Sequence, residues 1–193
     1  MISKSLWALA VAASTAMLAG PSVAQDTPRW YGIDCSHSRI TVPAGLKCTT
    51  TQNYAGGENG WGGNAGGTFR GWMASGAADG AGVSYYLIEA TSLGAALMES
   101  ASLKQAIRSE MRDGDKLANF SPLGNRGGAD YMTFTSASGD ACVGIRRYGP
   151  AQGAGYQWIL YGVRCEPRGR PITDADITHF IGGAAYRGPA ASG

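Results

Sequence analysis

The sequence predicts an α+β fold: a mainly antiparallel sheet with two helices packed on one face, stabilised by disulfides and preceded by a glycine-rich loop region. Three observations lead there. Several short segments are rich in Tyr, Val, Ile, Phe and Thr, the residues of pleated, half-buried strands. Two stretches repeat apolar residues at helical spacing. Four cysteines, an even number, stand at Cys35, Cys48, Cys142 and Cys165.

The chain opens with the three parts of a secretory signal peptide over residues 1–24. Lys4 supplies a positive start, Leu6 to Leu18 is an alanine-rich apolar run too short to span a bilayer, and Ser22-Val23-Ala24 is a small-x-small cleavage site. Cleavage would leave Gln25 first and 169 of the 193 residues, enough for one secreted domain over 25–193. The expected location is the bacterial periplasm or the exterior, with no span left in the membrane once the signal is removed. In such an oxidising compartment the cysteines read as two bridges.

The local pairing is favoured because Cys142 and Cys165 become direct partners if "ACVGIRRYGPAQGAGYQWILYGVRC", residues 141–165, folds symmetrically about Gly153-Ala154. In that register Gly144 faces Val163, Arg146 faces Tyr161 and Tyr148 faces Ile159. The loop Gly149 to Gly155 holds three glycines and a proline, and its ordering costs much entropy. A bridge at the far ends would hold the register where the turn cannot. Cys35 with Cys48 would then close a short loop around Pro43-Ala44-Gly45. Wide spacing argues against thiol redox work, and with no C-x-x-C pair and no histidine at ligand spacing, no metal is expected.

Extended segments are expected near 38–42, 83–90, 130–136, 141–148 and 156–165. Between the second and third, Leu93, Leu97, Ala101, Leu103, Ile107 and Met111 predict one helix over 93–112, or two short ones broken near Ser100-Ala101-Ser102. Asp113-Gly114-Asp115 stops it. At the C-terminus Thr173 caps a second helix, with Asp176 at its third position as a capping-box variant. Ile177, Phe180, Ile181 and Ala184 form its core stripe, and Gly182-Gly183 ends it.

Residues 56–82, within the domain, hold 11 of the 30 glycines at irregular intervals, so neither collagen nor a solenoid is implied. No phosphate-loop pattern occurs in the chain. Trp61, Phe69 and Trp72 stand there beside Asn59, Asn64 and Arg70. Aromatics interleaved with hydrogen-bonding groups suit a sugar ring, a peptide or a cell-wall strand. Trp61, Asn64, Phe69, Arg70 and Trp72 are therefore the candidate ligand-binding residues. The competing reading is that the tryptophans fold back and pin a long loop to the domain.

The charge balance is near neutral, +2 overall and +1 without Lys4. That gives no sign of nucleic-acid binding. The densest basic cluster, Arg164, Arg168 and Arg170, is interrupted by Glu166 and reads as solvated loop charge. No cofactor is implied. Only His37 and His179 could titrate near neutral pH. His179 reads as a surface residue near a helix end, and His37, in "CSHSR", lacks a nucleophile at useful spacing. Asp113/Asp115 and Asp174/Asp176 sit where turns and helix starts favour acids. The leading expectation is thus an exported, non-catalytic binding or envelope-associated domain contacting a glycan or protein. The alternative is a small secreted hydrolase using His37 or dispersed carboxylates such as Glu58, Asp79 and Glu89.

Overall fold

A computed structural model describes residues 28–55, 67–98, 101–111 and 113–188. The expected signal peptide over 1–24 lies outside the described residues, as do Glu58, Trp61 and Asn64. In chain order the strands are β1 (Trp30–Ile33), β2 (Ile40–Thr41), β3 (Lys47–Thr51), β4 (Tyr54–Ala55), β5 (Thr68–Ala78) and β6 (Ala81–Ala90). Helix α1 (Leu103–Glu110) follows, then β7 (Gly124–Arg126), β8 (Ala129–Thr135), β9 (Ala141–Tyr148), β10 (Ala151–Gln152), β11 (Gly155–Tyr156) and β12 (Trp158–Cys165). Helix α2 (Asp174–Gly182) and β13 (Ala185–Tyr186) complete the described chain.

The expected α+β layer with two helices on one face is overturned. The described residues are mostly antiparallel sheet with two short helices. Nine strands form one sheet in the order β1-β3-β5-β6-β12-β9-β8-β7, with β4 also paired to β5. The helices lie on opposite faces. A Cβ added to Gly144 would meet Ile107 of α1, whereas one added to Gly162 would fall 2.9 Å from Cζ of Phe180 in α2. Gly144 pairs with Val163, the neighbour of Gly162, and adjacent strand residues point to opposite sides. Both faces of the central strands are apolar for that reason. Val83, Tyr85, Leu87, Ile145 and Leu160 pack with Ile177, Phe180 and Ile181 of α2. On the other side Phe69, Ile88, Ile159 and Tyr161 pack with Ala106 of α1.

Both helices begin with reciprocal capping boxes, Ser102 with Gln105 and Thr173 with Asp176. The predicted start of the first helix fails, because α1 begins only at Leu103. Upstream, Gly94 adopts a left-handed φ of +80° and the Leu97 backbone pairs with Tyr156. Leu93, expected on the apolar stripe, is fully exposed.

The cysteine hairpin has the register expected of it. Cys142 opposes Cys165, Gly144 opposes Val163, Arg146 opposes Tyr161, and Tyr148 opposes Ile159. Both disulfides are formed, Cys35–Cys48 and Cys142–Cys165. They are consistent with an exported protein. Among the described residues no helix is long and apolar enough to cross a membrane.

One region differs from its sequence reading by more than its bounds. The second half of the glycine-rich stretch is not loop: β5 spans 11 residues from Thr68 and pairs with β6 from Phe69↔Ala90 to Ala78↔Ala81. Gly71 is accommodated because the Trp30 indole covers it, so closely that a Cβ there would lie 2.8 Å from Cη2.

Candidate functional site

The sheet has two unlike ends. At one end β3 begins and β5 turns into β6 through Asp79-Gly80. Here Cys142 at the start of β9 is bonded to Cys165 at the end of β12, opposite Gly82, while the Cys35–Cys48 bridge lies farther in, where Cys48 opposes Ala74 and Ala74 opposes Tyr85. At the other end lie the start of β1, the β4–β5 connection, the segment after β6 and the loop between β9 and β12. Segment 56–66 joins β4 to β5 at this second, loop-bearing end. Trp30, Tyr31, Leu93 and Met98, four of the five large apolar or aromatic residues exposed among the described residues, also belong to it; the fifth, Leu123, precedes β7.

The base of that connection is firmly built. Tyr54 pairs with Phe69 and Ala55 with Thr68. The Tyr54 and Phe69 rings lie 6.4 Å apart, and the Thr68 hydroxyl meets that of Thr91 at 2.9 Å. Burial holds the Tyr54 and Tyr86 hydroxyls above the usual tyrosine range.

On the α2 face, Arg70 is fixed by several partners. Its Nε donates to Thr50 Oγ1 at 3.1 Å and to the Thr51 carbonyl at 3.0 Å, and Nη2 donates to the Tyr31 hydroxyl at 2.8 Å. The guanidinium also covers the Trp72 ring. Glu89 stands directly across from Arg70 in the β5–β6 pairing. It accepts a 2.6 Å hydrogen bond from Tyr186 and lies 3.8 Å from Arg39. Tyr186 in turn stacks on Trp158 at 4.8 Å, and burial, then the bond to Glu89, raises its pKa. On the α1 face, Trp30 packs against Tyr86 at 5.6 Å and Tyr148 stacks on Tyr156 at 4.3 Å.

The candidate residues therefore divide. Arg70 is a partly exposed, preoriented cation at the loop-bearing end. Phe69 and Trp72 are buried at 0% and 5% exposure, on opposite faces of β5, so they serve the core and are not presented to a ligand. Trp61 and Asn64 belong to the connection that starts and ends at this base. Trp30, Tyr31, Glu89 and Tyr186 join the site without having been among the binding candidates. The aromatic pair "WY" before Cys35 was the available signal, but a strand of only four residues is too short to show alternation.

Groups suited to hydrolysis do not converge among the described residues. Asp79 sits in the turn at the disulfide end, and Glu89 is eight strand residues beyond Ala81, a separation of roughly 25 Å. His37 is exposed on the short 3-10 turn of Cys35–His37, beside the Cys35–Cys48 bridge. His179 is exposed and 3.8 Å from Asp79. Among the described residues no group of three His, Cys, Asp or Glu is placed to hold a metal ion. The cluster expected to be solvated loop charge is different too: Arg164 is 3% exposed and bonded to Glu166, itself 1% exposed.

No family model, curated protein or solved structure matches the chain. The functional reading accordingly rests on the site's own chemistry. Stacking faces, a fixed guanidinium and carboxyl–phenol hydrogen bonds equip the loop-bearing end to hold a ligand by contact and orientation.

Proposed function

We propose that the protein is an exported binding domain that works in the periplasm or outside the cell and contacts an envelope glycan or protein at its loop-bearing end. Segment 56–66 supplies Trp61 and Asn64, with Arg70 beside its base, while Phe69 and Trp72 anchor that base from within the sheet. The observation that carries this reading is the segregation of the two ends. The Cys142–Cys165 bridge holds one end, opposite Gly82, and four of the five exposed large apolar or aromatic side chains among the described residues, Trp30, Tyr31, Leu93 and Met98, belong to the other, where β4 leads toward β5. Loops on a rigid scaffold are where binding residues concentrate.

The test compares wild type with Trp61→Ala in binding to purified cell-wall glycan and to an envelope-protein fraction, alongside thermal melts. The expected result is a loss of roughly 1–3 kcal/mol in binding to one of the two, with little change in the melt. Unchanged binding to both, or no binding by the wild type, overturns the reading.

A further inference from the structure

The two edges of the sheet are guarded differently. At one edge β7 is only three residues long and ends in Arg126, whose guanidinium is held 3.1 Å from Asp174. Short length and a fixed charge are the usual defences of an exposed edge. At the other edge β1, "WYGI", carries neither charge nor proline, and among the described residues only β3 pairs with it. Its first two side chains are exposed, Trp30 at 36% and Tyr31 at 40%. As strand neighbours they project to opposite faces, where Trp30 covers Gly71 on the α1 face and Tyr31 meets Arg70 on the α2 face. A strand added outside β1 would therefore run between an indole on one side and a phenol on the other. Among the described residues nothing lies within 4 Å of where a Cβ on Gly32 would stand, so a side chain there would meet open space on the face it shares with Trp30.

Charge defines what fits. Exposed Arg29 stands just before β1, and exposed Asp34 just after it, its carboxylate fixed by the Ser36 backbone N–H at 2.8 Å. We infer that β1 takes up an extended peptide of a protein partner as an added antiparallel strand, with a basic residue opposite Asp34, an acidic residue opposite Arg29 and uncharged residues between. Main-chain hydrogen bonds supply affinity in such strand addition, and the flanking side chains supply direction. In an antiparallel partner the basic residue comes first in sequence. The inference concerns the sheet edge and stands whatever the loop-bearing end binds.

Two synthetic peptides test it: Lys-Val-Thr-Val-Thr-Glu and its charge-reversed counterpart Glu-Val-Thr-Val-Thr-Lys, titrated calorimetrically against the whole exported protein. The first should bind and slow amide exchange at Trp30–Ile33, and the second should bind about tenfold more weakly, since each terminal pair turns from attractive to repulsive. Gly32→Ala should bind like wild type, whereas Gly32→Lys, which installs a natural edge guard, should lose about tenfold or more. Asn125→Lys on β7 should change nothing. Failure of wild type to bind either peptide, equal binding of both, or full binding by a folded Gly32→Lys overturns the inference. Concentration-dependent dimerisation abolished by Gly32→Lys, without peptide binding, would assign the edge to a second copy of the chain and equally overturn it. Should Gly32→Lys fail to fold, the comparison of the two peptides on wild type decides.

Discussion

The Arg70 guanidinium lies 4.4 Å from the centroid of the Trp72 ring, so a surface cation of the loop-bearing end is carried on a core aromatic. Trp72 is 95% removed from solvent by the residues that also enclose Leu87, Ile40 and Leu160. Trp72→Ala should consequently cost about 3–5 kcal/mol of stability, the range for truncating a buried aromatic. Any loss of ligand binding would follow from the displaced Arg70. A drop in thermal midpoint of only one or two degrees would show that Trp72 is not the support assigned to it.

Removal of either disulfide should lower the stability of the sheet. The bridges close loops with sequence separations of 13 and 23 residues. Each should contribute about 3 kcal/mol by restricting the unfolded chain. Cys142→Ala with Cys165→Ala removes both thiols and avoids leaving a reactive partner. Urea unfolding should report the loss, with the loop-bearing end still competent to bind in the folded fraction. Peptide mapping without reduction should recover Cys35–Cys48 and Cys142–Cys165, and a crossed linkage would contradict the pairing.

How far the sequence alone discloses this molecule can be judged from its two glycine-rich hairpins. The segment 141–165 was legible because two cysteines, two strand-like runs and a central turn all agree on one register, and β9 and β12 adopt it. The tract 56–82 was not, because its glycine content masks an 11-residue strand. Gly71 occupies β5 only because Trp30, folded over from β1, fills the place of its missing side chain. That compensation is tertiary and leaves no local trace. The placement of α1 and α2 on opposite faces was hidden for a related reason: both faces of β6, β9 and β12 are apolar, so the alternation that would mark a wet face is absent. Within the candidate site, Arg70 could be picked out beside its aromatics, whereas Glu89 and Tyr186 are 97 positions apart and meet only in the fold.

Alkaline pH should destabilise the protein through its buried tyrosines. Tyr85 is 1% exposed, donates to the Phe180 carbonyl at 3.0 Å and stacks on that ring at 4.9 Å. Burial, opposed only in part by Arg164, holds its pKa far above that of an unfolded tyrosine. A raised folded pKa means that the stabilisation is complete below the unfolded value near 10 and fades as pH climbs toward the folded one. In that window Tyr85 alone should cost about 1.4 kcal/mol per pH unit. Tyrosinate absorbance should rise together with the loss of circular dichroism. Ionisation of every tyrosine near pH 10 in a protein that stays folded would refute this.

The last prediction concerns Glu166, one of the few charged groups in the described chain to be enclosed almost completely. Its Oε1 accepts from Arg164 Nε at 2.6 Å, and its Oε2 lies 3.2 Å from Arg170 Nη1. Asp176, in the first turn of α2, completes the group, 4.0 Å from Arg164 and 3.4 Å from Arg170. Glu166→Ala would leave the Arg164 guanidinium at 3% exposure without its nearest anion, and breaking one side of a buried pair costs about 3–5 kcal/mol. Arg170→Ala should cost no more than about 1 kcal/mol, because that side chain is half exposed and water replaces the contact. Replacing both buried partners, Arg164→Met with Glu166→Leu, should cost less than Glu166→Ala alone, since neither charge is then left stranded. Urea unfolding of Arg164→Met, of Glu166→Leu and of the double variant forms the thermodynamic cycle. Additive losses in that cycle would mean that the 2.6 Å contact contributes no coupling, and that the group is held in place by the β12–α2 connection around it.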